Sequence, residues 1–169
     1  MMDFVPYRHK VQYYETDGMR VVHHSNYIRF MEEARCDLME QMGYSYSRLE
    51  SMGFFIPVLS ASCDYKQMTR FGETLVIGVE VTALSPTRMT IQYEMRDDAT
   101  GSLRATGETH HCFLSSAGRP ISLKREAPEA FEYLRLLLGA GTTEPADSGE
   151  NAAETADAPA EPADSGENA

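Results

Sequence analysis

YETDGMRVVHHSNYIRFMEEAR, residues 14–35, decides the fold. In its second half and just beyond, Tyr27, Phe30, Met31, Ala34, Leu38 and Met42 recur at helical spacing, while Glu32, Glu33, Asp37 and Glu40 fall away from that stripe. Ser25 or Asn26 offers a polar cap at the start, and Gly43 can take the left-handed conformation that ends a helix. The spacing predicts a helix of about 16 residues, about 24 Å long. That is enough to form one side of a core. The first half is different in kind: an acid and a glycine, Asp17-Gly18, then His23-His24 immediately before the helix. Such polar residues cap helices and solvate loops as readily as they carry chemistry, so the surrounding pattern has to decide.

Upstream, Val5, Tyr7, His9, Val11 and Tyr13 alternate with Arg8, Lys10 and Gln12, which predicts a strand from Val5 to Thr16. Downstream, a short helix around Tyr46 to Met52 is followed by four predicted strands, Phe54 to Lys66, Glu73 to Leu84, Arg88 to Arg96 and Ser102 to Leu114. Turn chemistry separates them: Arg70-Phe71-Gly72, Ser85-Pro86, Asp97 to Gly101, and Ala117 to Pro120. Connections this short make the strands antiparallel neighbours. A strand, one long helix and then four strands exclude regular βαβ repetition. The fold class is therefore α+β, an antiparallel sheet curled around one central helix, with a last helix from Pro128 to Leu138 at its edge.

The 169 residues, 42% hydrophobic and 24% charged, suit one domain with an appended segment. The net charge of -11 is unevenly placed, because residues 143–169 hold eight acids and no Lys or Arg. The rest carries 18 acids against 15 bases and offers no basic field for nucleic acid. Residues 139–169 are low in complexity, with EPADSGENA at 144–152 and again at 161–169, and lack apolar groups to bury; the composition predicts a disordered acidic tail after a domain spanning 1–138. The three cysteines are scattered and odd in number, which fits a reducing cytoplasm. MMDFVPYRHK has no signal-peptide core, and no stretch approaches the roughly 20 apolar residues of a membrane span, so stable membrane insertion is not expected.

Asp17 with Val21-Val22, His24, Asn26-Tyr27 and Ala34-Arg35 resembles the acyl-CoA thioesterases of the 4-hydroxybenzoyl-CoA thioesterase-like hotdog superfamily, especially the Tol-Pal-associated group. The likeness continues through DYKQMTRFGETLVI at 64–77 and RATGETHHCFLSSAGRPISL at 104–123. It implies a hotdog fold, homodimers or homotetramers with active sites at subunit interfaces, no cofactor, and hydrolysis of acyl-CoA, with acyl carrier protein thioesters as a further substrate form. The resemblance places the catalytic carboxylate at Asp17 and a supporting histidine at His24, with Tyr14 and Tyr27 on the substrate side. Arg70 and Arg88, in or beside turns, are candidates for the CoA phosphates.

Chemistry agrees with that placement. A thioester carbonyl becomes an oxyanion on attack, and the free N–H groups of a helix start stabilise such charge. Asp17 can attack the carbonyl or deprotonate water. The simpler readings are that Asp17 accepts turn N–H groups, His24 caps the helix, and Tyr14 is an ordinary strand aromatic. The pairs His23-His24 and His110-His111 suggest a metal, but neighbouring strand residues face opposite ways, and none is expected. Gly18-Met19-Arg20 and His23 depart from the family pattern beside the reactive region, which bears on acyl specificity. A hotdog hydratase or dehydratase and a noncatalytic acyl-CoA binding protein are the alternatives.

Overall fold

The computed structural model describes residues 4–138; the predicted tail lies outside them. Helix α1, Asn26–Gln41, buries Tyr27, Phe30, Met31, Ala34, Arg35, Leu38 and Met39, close to the predicted stripe. It ends in a Schellman motif: Gly43 takes φ +74°, its N–H donates to Glu40 O at 2.8 Å, and the Tyr44 N–H donates to Met39 O at 3.0 Å. α2, Tyr46–Ser51, follows, capped by the Ser45 hydroxyl, which accepts from the Arg48 N–H.

The strands are β1 (Tyr7–Lys10), β2 (Phe54–Phe55), β3 (Val58–Tyr65), β4 (Thr74–Leu84), β5 (Arg88–Asp97), β6 (Leu103–Cys112) and β7 (Leu114–Ser115). Five form one sheet in the order β1-β4-β5-β6-β3, antiparallel throughout, and β2 pairs with β7. The inward alternate residues of β4 and β5 (Leu75, Ile77, Val79, Val81; Met89, Ile91, Tyr93, Met95) are buried, and α1 packs against β1, β3 and β4. This is the expected α+β hotdog arrangement. α3 (Leu123–Glu126) and α4 (Pro128–Leu136) bring Leu123, Phe131 and Leu134 into the core.

Two boundaries differ from the sequence reading. The first strand stops at Lys10, and Tyr13–Glu15 winds into a 3-10 turn whose Gln12 N–H is held by the Glu15 carboxylate. The strand predicted from Phe54 to Lys66 breaks around Ile56-Pro57, since proline has no N–H to give a ladder. The outer face of the sheet is polar. Its central residues include Glu80, Gln92, Glu94, Thr106 and Glu108, and they line a groove of about 450 Å³ that is polar and acidic. Exposed apolar groups lie elsewhere, among them Val58, Leu59 and Tyr65 on the edge strand β3, which pairs with β6 on one side only, and Tyr13, Tyr14, Met19, Met68 and Phe71 in and after the strand-to-helix connection.

Arg35 is buried without a carboxylate. It donates from Nε to the Tyr46 hydroxyl oxygen at 2.7 Å and from a terminal nitrogen to the Tyr93 oxygen at 3.3 Å, and Tyr93 continues through Thr109 to His111. Burial alone would weaken its hold on the proton, but the two phenol oxygens outweigh that and the guanidinium stays charged. Burial, and then the charge of Arg35, push His111 down to about 4, so it is a neutral core histidine at pH 7.

Gly107 is a position where helix and sheet lie in close contact. A Cβ there would collide with Met31 Sδ and stand 3.2 Å from Ser62 O. Met31 is fully buried, so any shift to make room repacks the core. Gly107→Ala is therefore expected to lower stability by about 1–3 kcal/mol, the usual cost of overpacking. Urea unfolding monitored by circular dichroism measures it, and an unchanged midpoint would mean that the helix-to-sheet spacing is looser than described.

Candidate active site

The connection from β1 to α1 is a small hairpin. Thr16 pairs with Val22 and Val21 with Arg70, the Asp17 N–H donates to Val21 O at 2.9 Å, and the Arg20 N–H donates to Asp17 O at 2.9 Å. The left-handed residue of the turn is Arg20, φ +62°, and not Gly18; a non-glycine residue there costs about 1 kcal/mol. Asp17 Oδ1 accepts the Met19 N–H at 2.8 Å, so the turn-forming reading of this aspartate is realised. Its other oxygen has no hydrogen-bond partner among the described residues.

Ser25 sits at the N-cap of α1 in helical conformation, and its side chain makes no capping bond. The hydroxyl is paired with His23 Nδ1 at 2.8 Å instead. The first-turn N–H groups of a helix have no intrahelical partner, and here the residue best placed to take one points elsewhere. Asn26 is not a cap. It reaches back, donating from Nδ2 to Glu15 O at 2.7 Å.

His24 is exposed, its ring stacked on His23 at 4.1 Å. These two rings do not diverge as successive strand residues would, because they lie in the connection; His110 and His111 do alternate, exposed and buried. Tyr14 is 80% exposed. Tyr27 is buried and donates to Thr69 Oγ1 at 3.2 Å. Tyr65 packs edge-on against it at 5.1 Å and donates to His24 O at 3.1 Å. Arg70 is exposed and tied through its backbone to Val21, beside the Asp17 turn. Arg88 is not brought to this end within one chain. It begins β5, whose other end, Asp97, pairs with Leu75 near Arg70, and a ten-residue strand spans about 30 Å.

Sequence reading missed Thr69, Tyr65, His9 and Glu15. The Thr69 carbonyl receives the Val22 N–H at 2.8 Å. Glu15 is 6% exposed and His9 9%, the two paired at 3.0 Å. An acid at a strand end and a histidine on an alternating strand carry no local sign of burial or pairing.

Residues 11–160 match the family model described as the thioesterase-like superfamily. The chain belongs to that superfamily. It is 33% identical over 131 residues to an Aquifex aeolicus (strain VF5) protein named provisionally as an esterase, covering 78% of this chain and 99% of that one. It is 31% identical over 121 residues to a Bacillus subtilis (strain 168) protein named provisionally as an acyl-CoA thioesterase, covering 71% and 87%. The DHNA-CoA thioesterase of Staphylococcus aureus superposes with a TM-score of 0.74 at 29% identity, covering 78% of this chain and 89% of that one. Membership places the protein among thioester-cleaving enzymes.

In this thioesterase-superfamily chain the segment that anchors the Asp17 hairpin is itself pinned by Arg104. Its guanidinium donates to Met68 O at 2.6 Å and to Asp97 Oδ2 at 2.8 Å, and lies 3.5 Å from Glu73. Burial opposes ionisation of Asp97, but hydrogen bonds from Arg104 and Thr100 prevail and hold the carboxyl below its usual range. A carboxylate with a lowered folded pKa contributes stability that is complete above the unfolded value and is lost as pH falls through the folded one. Asp97→Asn should therefore lower the Tm at pH 7, and the gap from wild type should narrow progressively on acidification from about pH 5 downward. Differential scanning calorimetry across that window checks it; a gap independent of pH would remove the ion pair from the account.

Proposed function

We propose that this protein hydrolyses acyl-CoA thioesters to the free acid and CoA, with Asp17 as nucleophile or general base. The observation that carries the reading is a carboxylate oxygen with no hydrogen-bond partner among the described residues, in the connection that leads into a long helix whose N-cap hydroxyl is turned away from the helix N–H groups. In the ground state those N–H groups polarise the thioester carbonyl. As the tetrahedral oxyanion forms, they hold a charge that was absent before, which is the condition for lowering the barrier. Asp17 supplies the other half, by attack on the carbonyl carbon or by taking a proton from an attacking water. His24, beside the helix start, orients the acyl group or the water.

Tyr14, Met19, Met68 and Phe71 are exposed; we take them as an apolar collar for an acyl chain or ring, with Arg70 for a CoA phosphate. The names of the Bacillus and Staphylococcus relatives favour CoA as the thiol. An acyl carrier protein presents the same pantetheine arm and is a second form of substrate. That collar and the bare edge of β3 also favour a homodimer or homotetramer, in which another copy covers the edge and Arg88 of one subunit can approach the site of the next.

Asp17→Ala is expected to lower the turnover of folded enzyme by about 100-fold or more, beyond the roughly 1 kcal/mol of stability lost with the Met19 N–H bond, and Asp17→Asn to be similarly poor in turnover. His24→Ala should cost about 10-fold. CoA release from a panel of short, long and aromatic acyl-CoA species measures this. Near-wild-type turnover by folded Asp17→Ala would leave the aspartate as a turn residue only.

The assembly is checked by multi-angle light scattering at micromolar concentration. A dimer or tetramer is expected, and a fully active monomer would exclude a site completed by a second copy.

A further inference from the structure

Behind the Asp17 hairpin lies a buried titratable cluster that the hydrolytic reading does not use. His9, on the inner face of β1, stacks on Phe30 of α1 at 4.0 Å. Its Nε2 is 3.0 and 3.1 Å from the two Glu15 carboxylate oxygens, and its Nδ1 is 2.9 Å from Glu33 Oε2. Carboxylate oxygens only accept hydrogen bonds. With Glu15 and Glu33 both ionised, each accepts from one ring nitrogen, and the geometry then holds an imidazolium between two carboxylates. Tyr7 donates its hydroxyl to the same Glu33 oxygen at 3.1 Å; burial and then the Glu33 charge push that phenol up to about 12, so it remains a donor.

Glu15 is where this cluster meets the site. Its carboxylate is bound to His9 and to the Gln12 N–H. Its carbonyl receives the His23 N–H at 2.8 Å and Asn26 Nδ2 at 2.7 Å. One residue therefore ties β1 to the start of α1, two positions before Asp17. We propose that His9 and Glu15, backed by Glu33, form an ionic clamp that sets the spacing between Asp17 and the first N–H groups of α1, making both positioning residues for thioester cleavage. The proposal rests on the hydrolytic reading of Asp17. Buried ion pairs are weak sources of stability but demanding in direction, and a reacting group misplaced by about 1 Å costs on the order of 100-fold in rate.

The test is a double-mutant cycle in the full chain. Glu15→Gln and His9→Gln are expected to lower kcat by about 10- to 100-fold with KM changed less than about twofold. In the Asp17→Ala background the same substitutions should change the residual rate less than about twofold, because no carboxylate remains to be placed. Glu33→Gln, at a half-exposed position that folding tolerates, should lower kcat in the same direction by a smaller factor. Nitrogen-15 spectra of the His9 ring at neutral pH should show both nitrogens protonated.

A neutral His9 ring would overturn the ionic clamp. So would a loss of Tm with kcat per folded enzyme unchanged, or equal rate losses in both backgrounds. If Asp17→Ala alone keeps the wild-type rate, the catalytic reading fails and the positioning role falls with it; that outcome is recognised from the single variant, whatever the His9 spectra show.

Discussion

The burial of one face of α1 against an antiparallel sheet is the constraint on which the rest depends. A helix that presents Phe30, Met31, Ala34 and Leu38 to a sheet needs a concave partner. The inward residues of β4 and β5 supply its floor, and the bare backbone of Gly107 lets Met31 approach where any larger residue would hold the layers apart. Each side chain removed from water there contributes roughly 1.5–3 kcal/mol of transfer free energy. With the helix axis fixed this way, its N-terminus is held at one end of the sheet, and the chemistry has a fixed point to be built around.

The hairpin of residues 16–22 carries Asp17 between β1 and α1. It is laced on one side to Thr69 and Arg70, and on the other, through Glu15, to β1 and to Asn26. Arg104 steadies the first side by bridging Met68 and Asp97. A loop held from both sides keeps Asp17 in one position, its Oδ1 on the Met19 N–H and its other oxygen without a hydrogen-bond partner among the described residues. The left-handed Arg20 shows that this shape is imposed on the sequence by its anchors and not by local preference.

Charge and apolar surface are segregated over the exterior. The outer face of the sheet carries Glu80, Glu94 and Glu108 around a shallow groove, whereas the exposed aromatics and methionines gather at β3 and about the hairpin. Like charges discourage stacking through the sheet face. An open strand edge with Val58, Leu59 and Tyr65 invites another chain.

Most of the architecture was legible from residue type and spacing. The 3.6-residue period of Tyr27 to Met42, the stop at Gly43 and the turn residues between strands are local properties, so helix α1 and strands β4, β5 and β6 could be placed closely. Asp17 and His24 could be named because they stand in a recognisable register before the helix. What the sequence could not say was which polar groups meet. The partners of His9 are 6 and 24 residues away, Tyr27 meets Thr69 across 42, and Arg35 meets Tyr93 across 58; no local pattern encodes such pairs. Local alternation likewise carried β1 past Lys10, because nothing in Tyr13-Tyr14-Glu15 announces that the buried Glu15 carboxylate will hold Gln12 and His9 and wind the chain into a 3-10 turn. The sequence by itself determined the elements and their order, since those follow from propensity and periodicity. The separation of Arg70 from Arg88, the polar character of the outer face and the contacts of His9 with Glu15 and Glu33 were decided only by the tertiary structure, because each depends on which distant segments the curl of the sheet brings together.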